Sequence, residues 1–102
     1  MSINSVVVDT DQVAKEWNEL GFSCELWEDV PGHEWADCVH ETDELFVVVE
    51  GSVEIEMGGG TLRPQVGHEV YIPAGTQHTV RNVGDATSRW LHGEWMDFAQ
   101  TD

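Results

Sequence analysis

Sixteen residues, Gly67 to Asn82 (GHEVYIPAGTQHTVRN), constrain the fold more than any others in the chain. Val70, Tyr71 and Ile72 form a strand core, a tight turn follows, and His78, Thr79 and Val80 open a second strand. Pro73 presets φ for a turn, and Gly75 suits the last position of a type I turn opened by that proline. A histidine just after such a corner is held on a rigid element, the usual setting of a ligand or a catalytic base.

The spacing says more than the composition. Gly67, Pro73, Gly75, His78 and Asn82 are separated by five, one, two and three residues. A chance match to a pattern with those five positions fixed is on the order of one in ten thousand or rarer. The stretch resembles the second signature motif of the cupin family. Upstream, Gly32 is followed after five residues by Cys38, Val39 and His40, then after three by Glu44 and after six by Gly51. This resembles the family's first motif at every position but one, because Cys38 stands where the family usually has its first histidine. The two motifs span Gly32 to Asn82, about half the chain.

The resemblance implies an all-β fold, a small jelly-roll β-barrel, here with one short N-terminal helix. It implies a single cupin domain over 1–102, with a strand and helix extension over about 1–30 and the barrel over 31–96. It also places His78 inside the barrel as a metal ligand. Cys38 and His40 are two apart, so on one strand they share a face, and Glu44 has the same parity. His40, Glu44 and His78 make two histidines and a carboxylate, a set suited to Fe(II), Mn(II), Ni(II) or Zn(II) with open positions. Cys38 as a thiolate would close the site and favour zinc. Two readings stay open. In one, a divalent metal in the barrel supports chemistry on a small organic molecule. In the other, the barrel is metal-free and non-catalytic, binds a small molecule or is structural, and Cys38 marks a lost metal site. Trp35, Phe46, Tyr71, Gln77 and His92 are candidate pocket residues, with His92 equally able to face solvent. Trp90 and Trp95 are further aromatic candidates.

Twenty acidic residues stand against four basic ones (Lys15, Arg63, Arg81, Arg89), a formal net charge of −16. So acidic a surface repels phosphate backbones and anionic lipids, which argues against nucleic-acid and membrane partners. The acids are scattered rather than grouped at the candidate ligands, so they read as a device for solubility. No run of eighteen apolar residues occurs, and Met1 to Asp9 lack the basic and apolar segments of a secretion signal. A cytoplasmic location is therefore expected. Cys24 and Cys38 are too few and too far apart for a disulfide scaffold, and Cys24 reads as a small buried hydrophobe.

Along the chain, Ser5 to Val8 reads as a short strand. Asp9 can cap a helix over Thr10 to Leu20, with Gln12 reaching back, Val13, Trp17 and Leu20 on one apolar face and Gly21 as the stop. Phe22, Cys24 and Leu26 alternate as a half-buried strand, and Pro31 with Gly32 forms a turn. Leu45 to Val49 is continuously apolar, so both of its faces should be covered. One looks into the barrel, and the other needs the helix or a second subunit. That requirement favours a homodimer, a state the resemblance also implies. Val53 to Met57 alternates with its acids facing solvent, and Gly58, Gly59 and Gly60 form a loose hairpin loop. Ser88 to Trp95 supplies the last strand.

Overall fold

The one helix among the described residues is defined at both ends by its caps. The computed structural model describes residues 7–96. Helix α1 (Thr10–Leu20) starts where Asp9 Oδ1 accepts the Gln12 N–H at 3.1 Å. It stops at Gly21, whose φ of 96° suits glycine alone. The expected return bond from the Gln12 side chain is not made, because that amide donates to Glu16 Oε2 one turn on. Trp17 is 1% exposed, whereas Leu20, expected beside it, is 64% exposed. The reversal at Gly21 sends the Phe22 N–H back to the Trp17 carbonyl at 2.8 Å. Phe22 thereby packs on the Trp17 cluster in place of Leu20.

Eight strands follow: β1 (Glu25–Asp29), β2 (Glu34–Cys38), β3 (Glu44–Glu50), β4 (Val53–Met57), β5 (Gly60–Leu62), β6 (Glu69–Ile72), β7 (His78–Asn82) and β8 (Ser88–Glu94). They make two antiparallel four-stranded sheets, ordered β1-β8-β3-β6 and β2-β7-β4-β5. Eight strands in two such sheets form the expected jelly-roll barrel. β1, read from sequence as part of an extension, pairs along its whole length with β8 and belongs to the first sheet. Of the strand expected over 5–8, residues 5 and 6 lie outside the described residues, and Val7 and Val8 join no strand. No helix among the described residues is long and apolar enough to cross a membrane.

Both faces of β3 are buried, as its unbroken apolar run requires. Phe46 and Val48 point inward and meet Val53, Ile55, Val80 and Trp90 from both sheets. Leu45 and Val47 point outward and pack with Leu91 under Trp17 of α1. Each such side chain contributes roughly 1.5–3 kcal/mol by leaving water. The helix therefore supplies the second layer, and this face does not require a second copy of the chain. Trp17 is fixed there by its indole N–H, which donates to Glu69 Oε1 at 2.9 Å. Cys24 packs on the same cluster as a free thiol, and burial, then the Glu25 charge, raises its pKa.

Two turns differ from their sequence reading. Gly60 pairs with Met57, leaving Gly58 and Gly59 as a two-residue turn with φ of 61° and 79°. Positive φ at both central positions is the type I′ hairpin, tighter than the loose loop expected. The Pro73 turn closes from the Thr76 N–H to the Pro73 carbonyl at 3.2 Å, with Gly75 third at φ 78°. Proline is thus first in the turn, and the positive φ at the third residue is the type II signature rather than type I.

On the outer face of the second sheet, the acids of β4 are not simply solvated. Arg81 of β7 bonds Glu34, Glu54 and Glu56 at 2.6–2.8 Å, and Arg63 adds a bond to Glu54 at 3.0 Å. The Arg63 guanidinium first, then Arg81, holds the Glu54 carboxyl below its ordinary pKa.

The seat of the helix on the sheet yields a test. A Cβ on Gly93 of β8 would overlap the Ser23 carbonyl and sit 2.7 Å from the Trp17 ring. Gly93→Ala is expected to lower stability by about 1–3 kcal/mol in urea unfolding. An unchanged midpoint would mean that Trp17 does not pack on this glycine.

Candidate functional site

The turn between β6 and β7 organises one end of the barrel. The Gly75 N–H donates to the His40 carbonyl at 2.8 Å, and the Ala74 N–H donates to Asp43 Oδ1 at 2.8 Å. These bonds tie the 39–43 loop, which carries His40, to the corner that carries His78. His78 is the first residue of β7 and 4% exposed. Its Nδ1 lies 2.9 Å from the Thr76 carbonyl oxygen. A carbonyl only accepts, so Nδ1 holds a ring proton and Nε2 is the nitrogen turned inward.

His78 Nε2 faces Glu44, the first residue of β3 and only 2% exposed. Glu44 Oε1 is 3.5 Å from His78 Nε2 and 3.6 Å from His40 Nδ1. Its other oxygen, Oε2, is 2.6 Å from His92 Nε2 on β8. His40 Nδ1 also lies 3.2 Å from Glu94 Oε2, and the Thr42 hydroxyl donates to Glu94 Oε1 at 3.3 Å. One buried carboxylate therefore stands among three imidazoles.

Cys38 reaches this group by a different route from the one its parity suggested. β2 ends at Cys38, and its register with β7 shifts between Trp35 and Cys38. Asp37 within the bulge has φ 54°, and its N–H donates to Thr79 Oγ1 at 3.1 Å. A bulge re-aims the side chain that follows it. As a result the donor atoms of Cys38, His40 and His78 lie within 4.8 Å of one another, as do those of His40, Glu44 and His92. The Cys38 thiol donates toward the Trp35 carbonyl at 3.6 Å. Burial, then the charges of Glu44 and Asp37, raises its pKa.

The donor spacing fits a divalent ion. Two ligands each 2.0–2.2 Å from one tetrahedral ion sit roughly 3.4 Å apart. The separations of 3.5 and 3.6 Å from Glu44 Oε1 to the two histidines are close to that figure. Two overlapping sets could hold such an ion, Cys38 with His40 and His78, and His40 with Glu44 and His92, and Glu44 Oε1 also lies 3.5 Å from His78 Nε2.

These side chains floor a cavity of about 280 Å³ whose walls are Trp27, Trp35, Phe46, Ile72, Val80 and Trp90. Of the expected pocket residues, Trp35, Phe46 and His92 line it. Tyr71 does not: it alternates outward from Ile72, is 52% exposed, and has its hydroxyl by the Asp43 carboxylate. Gln77 lies in a separate open groove beside the Gly58–Gly59 turn and donates to Asp37 Oδ1 at 3.0 Å. Trp95 bridges to Phe22 rather than entering the cavity. Sequence reasoning missed Glu25, Trp27 and Glu94, which also line it. Their signal was strand parity, since Glu94 shares a face with Trp90 and His92, and Glu25 shares one with Trp27.

A family model for the cupin domain matches residues 25–93, from the start of β1 nearly to the end of β8. Over 62 residues the chain is 37% identical to the polyketide synthase CurC of Streptomyces cyaneus, a match covering 60% of this chain and 40% of that protein. Its fold is similar to the cupin domain of Schizosaccharomyces pombe Cnp3, with a TM-score of 0.69 at 19% identity over 81% of this chain and 61% of that one. It is also similar to the DMSP lyase DddQ of Ruegeria pomeroyi, with a TM-score of 0.67 at 22% identity over 76% and 40% of the two chains. The chain thus spans less than two thirds of each of these proteins.

The placement of Tyr71 can be checked directly, because it is the only tyrosine in the chain. Its hydrogen bond to Asp43, then desolvation and the Asp43 charge, raises its pKa above the ordinary 10.0. Deprotonation would lose the bond and set two negative charges side by side, so the shift is upward. Absorbance titration of phenolate should give a pKa above 10 in the native protein and a lower value in Asp43→Asn. Equal values in the two would place Tyr71 away from Asp43.

Proposed function

The chain belongs to the cupin domain family, and on that premise we propose that it holds a divalent metal ion at one end of its barrel and binds or acts on a small organic molecule beside it. The observation that carries this reading is Glu44. A carboxylate 2% exposed, flanked by His40, His78 and His92, needs a positive partner, and no lysine or arginine lines the cavity. His40, Glu44 and His78 are the proposed ligands, with Cys38 as the fourth donor on the open side. Two histidines and a carboxylate suit Fe(II), Mn(II), Ni(II) or Zn(II), and a bound Cys38 favours zinc. Such an ion polarises an oxygen of the bound molecule or activates water.

The chain's own residues divide the remaining work. Thr76 fixes the His78 tautomer through its carbonyl, and Glu94 Oε2 lies 3.2 Å from His40 Nδ1, the same nitrogen that faces Glu44. An outer partner such as the Thr76 carbonyl orients the ligand ring, and its loss typically costs 10–100-fold in metal affinity. The walls of Trp27, Phe46, Val80 and Trp90 exclude water and leave room for an apolar body. The names of the relatives, a polyketide synthase and a DMSP lyase, support a small organic molecule as what is handled.

A second, metal-free reading has its own observation. His92 Nε2 lies 2.6 Å from Glu44 Oε2 and gives the carboxylate a partner without any ion. Elemental analysis of untagged protein purified without chelator separates the two. The metal reading expects near one ion per chain, falling to background in the Glu44→Ala, His78→Ala double variant. A double variant that keeps stoichiometric metal would show that the ligands are elsewhere. A metal-free native protein whose Cys38→His variant takes up one ion would establish the second reading.

A further inference from the structure

The cavity's charge narrows what can enter it. The chain has four basic residues, and none of them lines the cavity. Arg63 and Arg81 are held by Glu34, Glu54 and Glu56 on the outer face of the second sheet. Arg89 pairs with Glu28 at 3.0 Å and Glu50 at 3.6 Å, and Lys15 is exposed on α1. The cavity instead carries three carboxylates, Glu25, Glu44 and Glu94. Glu44 and Glu94 are engaged by histidines and Thr42 at the donor end. Among the described residues, the Glu25 carboxylate makes no ion pair.

The wall beside Glu25 is aromatic and rigid. Trp27 follows Glu25 two residues on along β1, pairs across the sheet with Trp90, and meets Trp35 edge to face at 5.2 Å and 74°. Two indole planes near a right angle make a corner whose faces are electron-rich. Trp35 is pinned in place: its indole N–H donates to Asp29 Oδ2 at 2.7 Å, and the His33 ring stacks on it at 5.0 Å. Asp29 is itself only 7% exposed and also contacts His33 Nδ1 at 2.5 Å. A wall already ordered costs little further entropy when a ligand arrives.

Resting on the reading of this cavity as a small-molecule site, we propose that its ligand is a small organic cation, an ammonium or other onium group with an apolar body, seated in the Trp27–Trp35 corner beside Glu25. Aromatic faces attract a cation within about 6 Å of the ring centroid, and the attraction grows once water is excluded. In the absence of an ion at the donor end, an anionic group in the same place would meet carboxylates and indole faces with no lysine or arginine beside it, at a large desolvation cost. A neutral isostere gains the apolar contact but not the charge. The volume of about 280 Å³ limits the ligand to a small molecule.

The test uses three molecules of one shape: choline, neutral 3,3-dimethylbutan-1-ol and anionic 3,3-dimethylbutanoate. Binding to the full chain is read by tryptophan fluorescence and calorimetry, on chelator-treated protein and on protein whose metal content has been measured. Choline should bind at least tenfold more tightly than the alcohol, and the anion should not bind the chelator-treated protein measurably. Glu25→Gln, at an exposed position, should weaken choline several-fold and leave the alcohol unchanged. Trp35→Leu should weaken both. Alcohol or anion binding as tightly as choline, or no binding by any of the three, overturns the inference. Because choline is tested without metal, a protein that carries stoichiometric ion but shows no cation preference sinks this inference alone. One that prefers choline but holds no ion sinks only the metal reading.

Discussion

The arrangement of this barrel depends on one buried carboxylate. Glu44 opens the strand with the most thoroughly buried run in the molecule, between Ile72 of β6 and Glu94 of β8 in the sheet register. Nothing else at that position is as costly to bury unpaired. The neighbouring elements each supply something to meet it: His78 from β7, His92 from β8, and His40 from a loop held down by two backbone bonds to the Pro73 turn. The same strand, two and four residues on, gives Phe46 and Val48 to the core, so the polar site and the hydrophobic interior share a single backbone. A register slip of one residue would turn Glu44 out and bring Leu45 in, which couples the strand pairing to the site.

The arginines are disposed so as to leave that site undisturbed. With only four basic residues, an acidic chain of this kind would be expected to spread them thinly. Instead Arg81 gathers three carboxylates on the outside of the second sheet and Arg89 spans two on the first. Exposed pairs of this sort add little stability one by one, and a network adds somewhat more. Their larger effect is to bind the cross-strand neighbours of β4 and β7, and of β1 and β8, while the interior keeps only carboxylates and imidazoles. The separation between a cation-bearing exterior and a cation-free cavity follows from strand alternation: Arg81 lies between inward Val80 and Asn82, and Arg89 between inward Ser88 and Trp90.

Much of this was legible in the sequence, for reasons that also explain what was not. The jelly roll and the helix over Thr10–Leu20 rest on fixed spacings around turns, which sequence records directly, whereas only the family resemblance set His78 beside His40 and Glu44. The covering of β3 was legible as a need, but whether the helix or a second copy met it was not. That depended on Trp17 reaching a glycine, Gly93, seventy-six residues away. Tyr71 and Gln77 were misplaced because proximity to a motif says nothing about parity, and Tyr71 follows Val70 and precedes inward Ile72 on the opposite face. Glu25 and Glu94 were overlooked because each looks like one more acid in an acidic chain, and only the pairing of β1 with β8 carries both to the cavity. The left-handed Asp37 had no distinct sequence signal, since aspartate is enriched in that conformation yet only a small fraction of aspartates adopt it.

Asp37 also bears on what the substitution at Cys38 means. A cysteine is shorter than the histidine of the family pattern, so its reach depends on the backbone that carries it. The bulge at Asp37, held by Thr79 Oγ1 and Gln77, brings the sulfur to within 4.8 Å of the His40 and His78 donors. The two readings of the site then differ in which partner settles Glu44. With an ion, Oε1 serves as ligand alongside His40 and His78, and His92 steadies Oε2 from the second strand. Without one, His92 remains the carboxylate's closest contact, and Cys38 is a thiol directed at the Trp35 carbonyl. The two oxygens of one carboxylate thus face different partners in a single arrangement, so passing between the two states requires no change in the strands that carry them.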